Sequence, residues 1–221
     1  MQTPSPSSRW TSHVAFARYV ARRLLQSGHG AMATSARAAA DAVQAAGSAL
    51  DDARFNTQDA IADRDGADET LDEAGRDLRH GLASESRDAV KQAPYTAVFP
   101  EGIEHVTAAP LDQQVARYSE LRARVETHLP AKHPLRKRSL DALSRGLAEW
   151  DRAVTALNAA RSAEALKSTA LVAAIDAFDR QMVRIYGTLL AEQGRASAER
   201  FFPRTRPSRA TGAVQKGDPA T

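Results

Sequence analysis

The sequence predicts an all-α fold: an antiparallel multi-helix bundle of about six helices, built from two pseudo-symmetric, duplicated halves. Three observations lead there. Alanine supplies 45 of the 221 residues and aromatics only 5%, a composition whose propensity favours helix, while Val, Ile and Thr are not clustered in the alternating runs that strands use. Apolar residues recur at helical spacing over long stretches. A weak internal repeat runs through the chain.

The repeat is carried by matched residues in preserved order. Ala17-Arg18-Tyr19 returns as Ala116-Arg117-Tyr118, Gly47 and Ala49 return as Gly146 and Ala148, and Asp52 as Asp151, all at an offset of 99. Phe99-Pro100 returns as Phe202-Pro203 at an offset of 103, so a few residues were inserted late in the second copy. A duplicated unit of this kind offers an apolar face that its twin covers. The domain reading is a mobile tail at 1–8, repeat 1 at 9–93, a connection at 94–110, repeat 2 at 111–203 and a mobile basic tail at 204–221.

The first helix is expected near 9–27. Trp10, Val14, Ala17, Val20, Ala21, Leu24 and Leu25 fall on one stripe with Arg18, Arg22 and Arg23 between them, an amphipathic pattern without the apolar core of a secretory signal. Gly28 and Gly30 break it. Next comes a seam through Val43, Ala46, Leu50, Ala53, Thr57 and Ala60, and then one through Leu71, Ala74, Leu78 and Leu82. Asp65-Gly66 with Asp68 and Glu69 behind it reads as a reversal between the two, because acids favour the first turn of a helix. The expected helices are 33–64 and 67–93.

Pro94, Pro100, Gly102 and Pro110 interrupt the connection, whose Val98, Phe99, Ile103 and Val106 are expected to pack on the bundle. A helix near 111–129 ends at Pro130 and Pro134. Leu140, Leu143, Leu147, Trp150, Val154 and Leu157 are spaced 3-4-3-4-3, and Leu171, Ile175, Phe178, Met182, Ile185 and Leu189 are spaced 4-3-4-3-4, the seams of coiled-coil packing. These two seams stay in phase through Arg161, Glu164 and Ser168, which suits one long helix. A reversal at Ser162 is preferred, giving helices 134–161 and 163–194.

Function is bounded mostly by exclusion. With no cysteine, thiolate metal sites, disulfides and cysteine nucleophiles are ruled out, and a cytoplasmic location is the expectation. No stretch approaches the roughly 20 apolar residues of a membrane span. The net charge is only +3, but it is segregated. Residues 51–77 hold ten acids against three arginines, and Arg117, Arg122, Arg124, Lys132, Arg136, Lys137 and Arg138 form a basic block. These blocks can pair within one molecule or between two.

The polar residues form no complete metal or catalytic constellation in the sequence. Asp77-x-x-His80 resembles half of a di-metal carboxylate motif but has no second copy. Glu101, Glu104 and His105 sit together in the connection, and Glu126, His128 and His133 flank Pro130, at spacings that suit loop polarity better than zinc. Neither a Gly-x-Ser-x-Gly turn nor a phosphate-binding glycine loop is present. No catalytic, cofactor-binding or metal residue is therefore nominated, and no small-molecule ligand is identifiable. Trp10, Tyr19, Tyr118, Trp150 and Tyr186 read as core or helix–helix interface residues.

The expected function is that of a non-enzymatic protein-binding or assembly module, with a protein partner or self-association. The alternative is non-specific nucleic-acid binding through the basic first helix and the tail residues Arg200, Arg204, Arg206, Arg209 and Lys216.

Overall fold

Where apolar residues recur every three or four positions, burying them in register rewards an unbroken helix. The computed structural model describes residues 3–203, and among them the seams form four helices of fifteen or more residues: α1 (Trp10–Gln26), α2 (Gly30–Ala83), α5 (Gln114–His128) and α6 (Pro134–Gln193). Three single turns, α3 (Tyr95–Val98), α4 (Glu104–Thr107) and α7 (Arg195–Ala198), complete the set, and no strand occurs among the described residues. The all-α class stands. The expected tail at 204–221 lies outside the described residues.

Both expected reversals are replaced by continuous helix. α2 runs for 54 residues through Asp65-Gly66, and α6 for 60 residues through Ser162. At the first point Asp65 accepts hydrogen bonds from its neighbour Arg64 instead of capping a new helix, and a Cβ on Gly66 would meet nothing within 4 Å. Glycine inside a helix costs about 1 kcal/mol relative to alanine, too little to break a seam that keeps its phase. At the second point Ser162 Oγ bonds back to the Asn158 carbonyl at 2.8 Å, a mid-helix use of serine. α2 also ends ten residues before the expected 93, where Ser84 Oγ donates to the Gly81 carbonyl at 2.8 Å.

The remaining boundaries follow their residues. α1 stops at Gly28, whose φ of +80° a side chain would strain. The His29 amide bonds Leu24 O at 2.9 Å and the Gly28 amide bonds Leu25 O at 3.2 Å, a Schellman closure. Pro134 opens α6 at a position where the missing amide hydrogen costs nothing.

The described residues group into two compact units, each drawing on both sequence halves: residues 3–50 with 168–203, and residues 51–167. In the first unit α1 buries His13, Val14, Phe16, Ala17, Val20 and Leu24 against Ala36, Ala40 and Val43 of α2 and Phe178, Met182, Ile185 and Leu189 of α6. Phe201 and Phe202 close this core, Phe202 lying 6.2 Å from Phe16 and 5.5 Å from Tyr186. Trp10 lies over Gly47, where a Cβ would collide with the indole.

In the second unit Leu71, Leu78 and Leu82 of α2 meet Tyr118, Leu121 and Val125 of α5 and Leu143 and Trp150 of α6. Val98, Phe99, Ile103 and Val106 of the connection are buried in the same cluster. α2 and α6 are antiparallel here: Leu71 presses on Gly146, where a Cβ would come within 2.7 Å of Cδ2, and Asp77 reaches Arg138. Each fully buried aliphatic or aromatic side chain stabilises by roughly 1.5–3 kcal/mol.

The matched tripeptides of the repeat are not buried alike. Ala17 is buried and Tyr19 is 45% exposed, whereas Tyr118 is fully buried. Tyr19 therefore departs from the interface role that its stripe suggests.

Candidate functional site

Charged residues concentrate in the second unit, and its best-defined polar contacts hold its own elements together. Tyr118 comes from α5 and donates its hydroxyl to Asp72 Oδ1 of α2 at 2.5 Å, while Arg76 holds Oδ2 of the same carboxylate at 2.6 Å. Burial, the hydrogen bond to Asp72 and the charges of Asp72 and Asp68 push the Tyr118 phenol well above its ordinary value. Asp68, one turn earlier on α2, is raised by partial burial and by the carboxylates of Asp72 and Asp65, with Arg64 opposing. Its Oδ1 is buried without a hydrogen-bond partner.

The connection supplies a second cluster. Arg117 Nη1 donates to His105 Nε2 at 2.6 Å, and His105 Nδ1 lies 3.0 Å from Glu101 Oε2. A guanidinium only donates, so Nε2 accepts and the proton sits on Nδ1, facing the carboxylate. Both ring nitrogens are thus occupied, and the group ties α4 and the segment before it to α5. Of the triad flagged in the sequence, Glu101 and His105 meet; Glu104 is not part of the contact.

The other flagged residues scatter. His133 Nε2 pairs with Glu85 Oε1 at 2.9 Å, while its Nδ1 accepts the Leu135 amide at 3.3 Å. Glu126 offers only its backbone carbonyl, to Arg136. Asp77 faces Arg138 at 3.4 Å, and His80 is exposed. No group of three or more His, Asp or Glu is placed to hold a metal among the described residues. On α1, Arg22 and Arg23 are exposed and Arg18 donates to Gln44 at 2.7 Å; the basic tail lies outside the described residues. No helix among them is long and apolar enough to cross a membrane.

What the sequence did not point to is an open face of the α2/α6 pair in each unit. In the first unit it is a groove of about 310 Å³ walled by Ala38, Ala39 and Ala42 of α2 and Ala174, Ala177 and Phe178 of α6. In the second, a groove of about 380 Å³ lies between Asp63, Gly66 and Thr70 of α2 and Glu149, Arg152 and Ala156 of α6. A smaller one of about 160 Å³ runs between Asp77 and Gly81 and Leu135, Arg138, Ser139 and Ala142. α5 covers a different side of α2, through Tyr118 at Asp72 and Gly75. Small side chains set two helices close together and leave shallow, accessible walls. The signal was present in the alanine-rich spacing, but locating the open side requires knowing which side α1 takes in the first unit and α5 in the second.

No family model matches this chain, and neither the curated proteins nor the solved structures compared with it give a match.

Proposed function

We propose that this chain is a non-enzymatic helical module that presents contact surface to another protein or to a second copy of itself. The observation that carries the reading is the pair of alanine- and glycine-walled grooves along α2 and α6, one in each unit. Such walls let an incoming helix approach the backbone closely and gain dispersion contacts along its length. The better-defined polar clusters, by contrast, bind the protein's own elements together: Tyr118 to Asp72, His105 to Arg117, His133 to Glu85.

A duplicated origin belongs to the same proposal. A short helix, a long helix and a short turn ending in Phe–Pro occur twice, as α1 and α2 before Phe99-Pro100 and as α5 and α6 before Phe202-Pro203. Gly47 and Gly146, matched in the repeat, both lie beneath a large apolar side chain.

The test is light scattering across protein concentration and ionic strength, together with capture from the source organism, on wild type and on variants with Ala177→Lys or Ala156→Lys. Both alanines are exposed groove walls on a helix, so the fold tolerates the change. A defined homomeric or heteromeric complex that one of these substitutions dissolves is the expected result. A strict monomer at all salt concentrations that captures no protein would contradict it.

A further inference from the structure

Resting on the assembly reading, we propose that the open α2/α6 face of the second unit is a self-association surface, on which a second copy packs about a two-fold axis running along the helix pair. The argument is charge complementarity between the α2 and α6 banks that flank both grooves of this face. On α2 the bank carries Asp63 and Asp77, two heptads' worth of helix apart, with Thr70 between them. On α6 it carries Arg138 and Arg152, with exposed Arg145 midway at the same seven-residue spacing. Glu149 runs against this segregation.

Only the lower end is joined within one molecule, by the exposed Asp77–Arg138 pair at 3.4 Å. Arg145 and Arg152 instead fold back onto their own helix, each Nε donating to the carbonyl four residues earlier, at 3.4 and 3.1 Å. Among the described residues Asp63 forms no ion pair, although it shares its groove with Arg152. The floor between the banks is made of Gly66, Ala67, Ala153 and Ala156. Ser139, 6% exposed, lines the narrower stretch. An apolar floor between oppositely charged rims that are joined at one end alone is the anatomy of a contact surface: the rims steer the encounter and the floor supplies the packing.

Symmetry decides the occupant. A two-fold axis parallel to the helices sets α2 of one copy over α6 of the other and, equally, α6 over α2. The acidic bank then meets the basic bank twice. Because α2 and α6 are antiparallel with Asp77 beside Arg138, Asp63 of one copy comes opposite Arg152 of the other, Asp77 opposite Arg138, and Arg145 opposite Thr70, between the two acids. The alternative axis, across the helices, would set α2 on α2 and oppose acid to acid.

Charge exchange tests this by sedimentation velocity. One variant carries Asp63→Lys and Asp77→Lys, the other Arg145→Glu and Arg152→Glu, and circular dichroism checks that each stays helical. Wild type is expected to be a dimer that dissociates as salt rises. Each variant alone is expected to be at least tenfold weaker in self-association, and their equimolar mixture to recover a dimer, because every reversed bank then meets its complement. A wild type that is monomeric at low salt, or a mixture no more associated than its components, overturns the proposal. If wild type associates but the variants do so equally well, this surface is wrong while the assembly reading stands.

Discussion

Asp68 shows how one carboxylate can be placed at a cost. Its folded-state pKa is raised by burial and by Asp72 and Asp65, so the folded protein favours the protonated form. The linkage follows: below the ordinary aspartate value of about 3.9 the group is neutral in both states and carries no penalty. As pH rises through the raised folded value, stability is lost. Asp68→Asn is therefore expected to raise the melting temperature at pH 7 by the equivalent of less than about 1 kcal/mol, the partial exposure limiting the effect. The gain should vanish near pH 3. Equal melting temperatures at neutral pH would contradict this origin of the shift. At the same scale, the clusters built on long-range partners were illegible from spacing. His105 meets Arg117 and His133 meets Glu85 across helix breaks whose path no periodicity reveals. His13 and Phe16 were missed because α1 buries a wider face than its apolar stripe alone suggests.

Elements were legible wherever the seam was. The apolar positions named in α2 and α6, from Val43 to Leu82 and from Leu140 to Leu189, are all buried or half-buried. Continuity was the ambiguous point, because Asp65-Gly66 and Ser162 carry local cap signals that the structure overrides. Local preference at one residue is worth about 1 kcal/mol, whereas keeping the seam in phase preserves several buried side chains beyond the break. Ala163→Pro separates the two alternatives. Inside a continuous helix a proline removes a hydrogen bond and clashes with the preceding turn, costing about 3 kcal/mol or more. At the first turn of a new helix after a Ser162 cap it would be nearly neutral. A marked drop in melting temperature and in helical ellipticity is expected; an unchanged melting curve would restore the reversal.

At the scale of the whole molecule, composition announced the class, charge segregation left pairing within one molecule or between two equally open, and neither showed which side of α2 and α6 stays open. In the second unit that side is set by α5, held on α2 through Tyr118 and Asp72, a pairing between residues 46 positions apart. The acidic and basic blocks read from the sequence pair only sparingly within the second unit, through Arg138 and Asp77, while Asp51, Asp65 and Asp72 take arginines from their own helix. The charges left over on the groove are what the two-fold arrangement consumes. A chain without cysteine allows that arrangement to be read directly, by mixing a Thr70→Cys protein with a Glu149→Cys protein under mild oxidation. These residues line opposite banks of one groove, and the two-fold axis brings the α2 bank of one copy over the α6 bank of the other. The account predicts a disulfide-linked dimer containing one chain of each kind, formed faster than either homodimer. Random pairing of the two chains, or no linked product at concentrations where the protein associates, would contradict it.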